Sequence, residues 1–183
     1  MYTGNTYMLL FFIYGLAFFS MGISAFQQRT LKDTNFPLLT AIKQLGYFGI
    51  THGLVEWLLM IIIWNQYPQY NLLLLANTGF LSAISFTFLW SFGIKLFEEK
   101  LKLKSFYKKL PLLALALWAL IYLFLYISNK NDIIQNIQTM NVLSRYFIAF
   151  PGGITAGVGL YKNGKTIYNL KLKKVSIKFK VLA

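Results

Sequence analysis

Five long apolar stretches limit this sequence to the folds that a lipid bilayer permits. A helix needs about 20 residues to cross a hydrocarbon core of about 30 Å, and each stretch is close to that length. We therefore expect an all-α protein, a polytopic transmembrane helical bundle that forms one domain over residues 1–161. The predicted spans are Tyr7–Phe26, Gln44–Trp64, Leu72–Ile94, Leu110–Ile127 and Asn141–Tyr161.

The composition agrees with a membrane protein. Hydrophobic residues make up 57% of the 183 residues, and only five residues are acidic. No cysteine is present, which excludes a disulfide framework, a thiolate metal site and a cysteine nucleophile. The segment before the first stretch carries no Lys or Arg, so the sequence favours a retained span over a cleaved signal peptide.

The basic residues predict the orientation of the bundle. Of the 18 Lys and Arg residues, 16 lie between the first and second spans, between the third and fourth, or after the fifth, all on one side. By the positive-inside rule that side is the cytoplasm, with the N-terminus outside and the C-terminus inside. The net charge of +13 is then explained by topology and by anionic lipid head groups at the cytoplasmic face, and no nucleic-acid partner is expected.

Residues 162–183 form a basic tail after the fifth predicted span. We interpret it as a cytoplasmic link that leads into a further span beginning at Phe179–Ala183. The alternation of apolar and polar residues over 175–181 also fits a strand, and both interpretations stay open.

The second span carries an acid and the single histidine inside an apolar helix. At about 100° per residue, His52 and Glu56 share one face with Gly49 and Gly53. A charge near the bilayer centre costs about 2.5–3.5 kcal/mol on insertion scales, so Glu56 should face protein and have a partner there.

Arg145 is the natural partner, because no other arginine lies within a predicted span and a guanidinium suits a carboxylate. Asn77 lies at a similar depth and is expected to complete a hydrogen-bonded cluster of His52, Glu56, Arg145 and Asn77. Thr78, Ser82 and Ser85 form a separate small polar stripe.

Helix packing and a kink are predicted at small residues and at one proline. Gly49 and Gly53 allow a neighbouring helix to approach closely. Pro151 lies inside the fifth span, where it should kink the helix and free a carbonyl group. A small-residue stripe on that helix, which includes Gly152, should face another helix. Its members are Ala149, Gly152, Ala156 and Gly159.

Two interpretations of the buried cluster stay open: an ion pair that fixes which helix faces meet, and a sensory or ligand-binding site. A metal shared by His52 and Glu56 lacks a third strong ligand, so no metal is expected. A single histidine offers no bis-histidine haem site, and no cofactor is expected. The sequence contains no recognisable catalytic arrangement.

The sequence contains four short motifs: Leu10–Phe19, Gly49–Trp57, Phe88–Gly93 and Ser144–Gly152, the last without its Ile148 and Ala149. Together they resemble the N-terminal membrane-sensor region of bacterial two-component sensor histidine kinases. The resemblance implies a sensory or input domain in the bacterial inner membrane, a homodimer, and a kinase module that this chain would precede. Histidine kinase activity is expected only if such an output module follows.

The sequence therefore predicts the input domain of a signal-transduction protein, in which a stimulus acts on the His52, Glu56 and Arg145 cluster. The alternative is a stand-alone small membrane transporter or a subunit of a membrane complex.

Overall fold

The computed structural model describes residues 2–28, 37–101, 105–128 and 132–169, and every regular element in these ranges is helical. The predicted all-α class is thus confirmed. The helices are α1 Tyr2–Gln27, α2 Pro37–Trp64, α3 Asn71–Leu101, α4 Ser105–Ser128, α5 Ile133–Ser144 and α6 Phe150–Asn169. A short 3₁₀ helix, Pro68–Tyr70, precedes α3, and a π-helical segment, Arg145–Ala149, joins α5 to α6.

Four helices are long and apolar enough to cross a membrane, which makes the chain a multi-pass membrane protein by length and composition. The four segments are Asn5–Gln27, Thr40–Trp64, Pro68–Phe97 and Ser105–Ser128. They contain the first four predicted spans. The fifth predicted span falls on α5, the π segment and α6, where Asn141, Arg145 and several glycines lower the mean hydropathy.

The backbones of α1 and α2 pack at very short range because glycines face each other. A Cβ added at Gly49 would lie 2.7 Å from the Phe18 carbonyl oxygen, and one at Gly53 would lie 2.8 Å from the Gly15 carbonyl oxygen. Any larger residue would force the helices apart. The two glycines thus face α1. Helix α2 lies between α1 and α3 and contacts both.

Helix α3 is the centre of the bundle, since it contacts α2, α4, α5, the π segment and α6. Its contact with α6 again uses small residues: a Cβ at Gly152 would lie 3.1 Å from the Trp90 backbone nitrogen, and one at Gly159 would lie 2.8 Å from the Leu96 side chain. Ala156 is buried in the same interface, with Phe92 and Leu96. Gly152, Ala156 and Gly159 of the predicted stripe therefore face α3.

Helix α4 lies at the edge of the described bundle and presents most of its apolar side chains outward. Leu112, Leu120 and Phe124 are each more than 60% exposed. A soluble helix with that surface would aggregate, whereas a lipid-facing helix is expected to have it. α4 begins at Ser105, earlier than the predicted start of the fourth span.

The predicted link 162–183 is helical over its first part, because α6 continues to Asn169. Residues 170–183, with the predicted further span or strand, lie outside the described residues.

Candidate functional site

A polar cavity of about 310 Å³ opens between α2, α3 and the junction of α5 with the π segment. We call it the polar cavity. It combines ionisable and hydroxyl groups with an apolar wall inside an otherwise apolar bundle. Its lining residues are His52, Val55, Glu56 and Leu59 of α2, Leu75, Thr78, Ser82 and Phe86 of α3, and Asn141 and Arg145.

His52 lines this cavity and is held by one polar contact and several aromatic rings. Its Nδ1 lies 3.1 Å from the Ser85 hydroxyl oxygen on α3. The rings of Phe18, Phe48 and Phe86 lie 4.6, 5.2 and 5.4 Å from the imidazole, centroid to centroid. The imidazole therefore has one well-defined orientation, with Nε2 directed to Glu56.

Ser85 connects His52 to α3. The Ser85 hydroxyl donates to the Ser82 carbonyl oxygen at 2.8 Å. Its oxygen also lies within hydrogen-bond distance of Nδ1 of His52, and the tautomer of the imidazole decides which of these two groups donates. On the other side of the ring, Nε2 of His52 lies 3.5 Å from Oε1 of Glu56.

Glu56 has one carboxyl oxygen directed to His52 and one without a partner. Oε2 is buried and has no hydrogen-bond partner among the residues that the structure describes. A buried acceptor without a donor costs about 1–3 kcal/mol, so a donor that reaches this oxygen would be favourable.

Arg145 lines the polar cavity together with Glu56, its predicted partner. Within the described residues, the ion-pair contact of Glu56 is with His52, which lies four residues earlier on the same helix. Helical spacing brings these two side chains together without any contact between helices. The Arg145 side chain is more than a third exposed.

The π segment determines where Arg145 lies. The Phe150 backbone N–H donates to the Arg145 carbonyl oxygen, five residues earlier, which is the wide turn of a π helix. Pro151 follows at once, and it has no N–H to donate and a ring that would clash with the carbonyl four residues before it. The wide turn accommodates that ring, so the disturbance predicted at Pro151 takes the form of the π segment that carries Arg145.

Asn77 lies outside the polar cavity, in contrast to its predicted place in the cluster. Its side chain is exposed and its Nδ2 donates to the Leu73 carbonyl oxygen at 2.8 Å. Asn141 on α5 lines the cavity instead. The sequence did contain a signal for Asn141, since it precedes Arg145 by four residues and so shares its helix face.

The stripe of Thr78, Ser82 and Ser85 belongs to the same site and is not separate from it. Thr78 and Ser82 line the cavity, and Ser85 bonds to His52. Two hydroxyls are already used inside α3, because Thr78 donates to the Leu75 carbonyl oxygen at 2.7 Å and Ser85 donates to Ser82. Within the described part of the chain, no third His, Cys, Asp or Glu joins His52 and Glu56 to form a metal-ligand group.

A second concave region, the apolar groove, has a volume of about 390 Å³ and lies between α3, α4 and the π segment. All of its walls are apolar or aromatic. The lining residues are Trp90, Phe106, Leu110, Leu113, Ala114, Leu117, Trp118, Ile121, Leu143 and Phe147.

Comparison of the chain with protein-family models, with curated proteins and with solved structures found no match. The geometry of the polar cavity is therefore the basis on which a role can be proposed.

Proposed function

We propose that this chain is the membrane-embedded input domain of a bacterial signal-transduction protein, of the histidine-kinase type that its motifs resemble. The observation that carries the proposal is the polar cavity, which is lined by Arg145 and by Glu56, and Glu56 has a buried carboxyl oxygen with no hydrogen-bond partner among the described residues. Ionisable groups at membrane depth are costly, and a cavity that leaves them unsatisfied is more useful for a ligand than for stability.

In the proposed topology the chain crosses the bacterial inner membrane five times, with α5, the π segment and α6 as the fifth span. The N-terminus lies outside and the C-terminus in the cytoplasm, where the lysine-rich segments meet anionic head groups. Glu56 lies eight residues before the end of α2 at Trp64, about 12 Å at 1.5 Å per residue. The polar cavity is then in the outer half of the bilayer.

The proposed signal passes from Arg145 to α6. A ligand that binds the Arg145 guanidinium displaces the π segment. A π segment can return to regular α-helix when its hydrogen bonds shift by one residue. Such a shift would move α6 against α3 along the interface of Gly152 and Gly159. The ligand must bind the two arrangements with different affinity, since otherwise it shifts nothing. A homodimer would pair two such helices at the cytoplasmic side.

Complementation of a deletion strain tests the proposal. We expect deletion of the gene to change a defined set of transcripts, and the wild-type gene to restore them. Glu56→Ala and Arg145→Ala should fail to restore them although both proteins reach the membrane in normal amounts. Gly153→Ala on α6 is the control, because a Cβ there meets nothing within 4 Å.

Unchanged transcripts in the deletion strain, or full complementation by both alanine variants, would overturn the sensor proposal. Altered uptake of a solute in the deletion strain, with transcripts unchanged, would favour the transporter alternative.

A further inference from the structure

We propose that the apolar groove is a binding site for an anionic phospholipid, with one acyl chain in the groove and the phosphate bound by Lys109 of α4 and Lys162 of α6. This inference goes beyond the proposed function and concerns a different surface of the bundle. Only the choice of leaflet rests on the proposed function, because the orientation proposed there places the basic end of the groove at the cytoplasmic face.

The groove is open at the surface of the bundle. Phe106, Leu117 and Phe147, from α4 and the π segment, line it and are each more than 60% exposed. Because its wall consists of apolar and aromatic side chains, hydrocarbon fills it in a bilayer more favourably than water does. The occupant is therefore a lipid chain or an apolar segment of another protein chain.

The groove is long enough for an acyl chain that crosses one leaflet. Its lining on α4 extends from Phe106 to Ile121, which is about 22 Å at 1.5 Å per residue. One leaflet is half of a hydrocarbon core of about 30 Å, so a chain that spans about 15 Å fits along the groove. The contact with the chain gives little selectivity, since lipid tails are as apolar as the wall. Selectivity must then come from the head group.

Two lysines from different helices flank one end of the groove. Lys109 is exposed and directly precedes Leu110 of the groove wall. On α3, Phe97 lies two turns beyond Trp90 of the groove wall and therefore on the same face of the helix. The Lys162 ammonium group of α6 lies 5.1 Å from the centroid of the Phe97 ring. This end of the groove is therefore basic.

The two lysines lie at a similar depth in the bundle. Phe97 is four residues before the end of α3 at Leu101, and Lys109 is four residues after the start of α4 at Ser105. Since α3 and α4 pack together, both positions are about 6 Å from the turn that joins these helices. The contact with Phe97 holds Lys162 at that level. A phosphate there can accept charge-assisted hydrogen bonds from both ammonium groups.

Charge favours an anionic lipid over a second copy of the chain as the occupant. Six lysines lie between residues 95 and 109, around the turn from α3 to α4. A second copy seated in the groove would cross the membrane in the same direction and bring the same lysines to this end, where like charges repel. An anionic head group neutralises them, and each lysine near the membrane surface contributes about fivefold in affinity.

Competition between two lipids, followed by native mass spectrometry, tests this inference. The purified full chain in an uncharged detergent is mixed with equal amounts of dioleoylphosphatidylglycerol and dioleoylphosphatidylcholine, which differ only in the head group. We expect the chain to retain the phosphatidylglycerol at least tenfold more than the phosphatidylcholine. Phosphatidylglycerol should also raise the temperature of thermal unfolding more than phosphatidylcholine does, because a ligand of the folded state stabilises it. Higher salt should weaken the preference.

Matched substitutions test the lysines and the groove separately. Lys109→Gln and Lys162→Gln should each lower the preference for phosphatidylglycerol about fivefold. Lys43→Gln should leave it unchanged, because this exposed lysine lies on α2, away from the groove. Leu113→Trp fills the groove and should reduce retention of both lipids, whereas Leu112→Trp adds the same bulk outside the groove wall and should not. Lys109→Arg keeps the charge and should retain binding.

Equal retention of the two lipids would overturn the head-group argument. Equal effects of Lys43→Gln and Lys109→Gln would show a general surface attraction and no site, and normal retention by Leu113→Trp would remove the groove from the site. A dimer that Leu113→Trp disrupts, without retained lipid, would assign the groove to a second copy. None of these results changes the complementation experiment, so this inference and the sensor proposal fail separately.

Discussion

The polar cavity and the apolar groove are similar in size and border the same helix junction, yet they differ completely in chemistry. Their volumes are about 310 and 390 Å³. Asn141 and Arg145 face the cavity, while Leu143 and Phe147 face the groove. Residues two positions apart on a helix are rotated by about 200° about its axis, so they point to opposite sides. The same stretch of chain therefore lines both regions.

The difference shows that volume does not identify a binding site in a membrane protein. A concave apolar surface in a bilayer is filled by lipid chains at little cost, since lipid tails are as apolar as the wall. A cavity lined by ionisable side chains, with a buried acceptor that has no donor among the described residues, is costly until something polar occupies it. Three pairs of substitutions test the two regions: the first pair compares them directly, and each of the other two compares one region with a control elsewhere in the bundle.

The largest expected effect comes from placing a lysine in each region. Leu117→Lys puts an ammonium group in the apolar groove at the middle of a predicted span, where insertion costs about 2.5–3.5 kcal/mol. Ser82→Lys puts the same group in the polar cavity, where Glu56 can accept from it. We expect the first to lower the yield of folded protein in membranes severalfold and the second to lower it much less. Equal losses would mean that the cavity is not a polar environment.

A smaller effect is expected from removing the partner of His52. Ser85→Ala leaves Nδ1 of His52 without its hydrogen-bond partner, which costs about 1–3 kcal/mol. Thr87→Ala is the matched control, because this buried hydroxyl donates to the Ala83 carbonyl oxygen of its own helix at 2.8 Å. Thermal unfolding in detergent, followed by circular dichroism, should show a larger loss for Ser85→Ala. The reverse order would argue against a structured polar cavity.

The smallest effect should come from the groove wall. Trp118→Phe removes a buried hydrogen bond from Nε1 to the Met140 carbonyl oxygen, 2.9 Å long, and should cost about 0.5–1.5 kcal/mol. Trp57→Phe removes a longer and exposed bond to the Phe12 carbonyl oxygen, 3.3 Å, and should cost less. The same unfolding measurement compares them. A larger loss of stability for Trp57→Phe would mean that the indole hydrogen bond matters more to the α1–α2 contact than to the groove wall.

Much of the fold follows from the sequence because a bilayer leaves the chain few options. Backbone polar groups in lipid must be bonded within the segment, so a long apolar stretch predicts a helix without knowledge of its neighbours. The face shared by His52 and Glu56 also follows from helical spacing, and their contact at i, i+4 needs no tertiary structure. The sequence likewise predicted close helix packing at Gly49 and Gly53, because only small residues let two helix backbones come into contact.

Only the tertiary structure decided how the polar groups combine. Depth along the helices predicted Arg145 and Asn77 as partners of Glu56, but depth does not give the rotation of one helix about its axis. That rotation places Asn77 outward and brings Ser85 to His52. The wide turn before Pro151 then places Arg145 at the wall of the cavity that Glu56 also lines. The sequence by itself determined which groups are costly in a membrane, because that cost depends on the side chain alone. Packing decided which of these groups share one cavity, because the rotation of each helix about its axis is set by its neighbours.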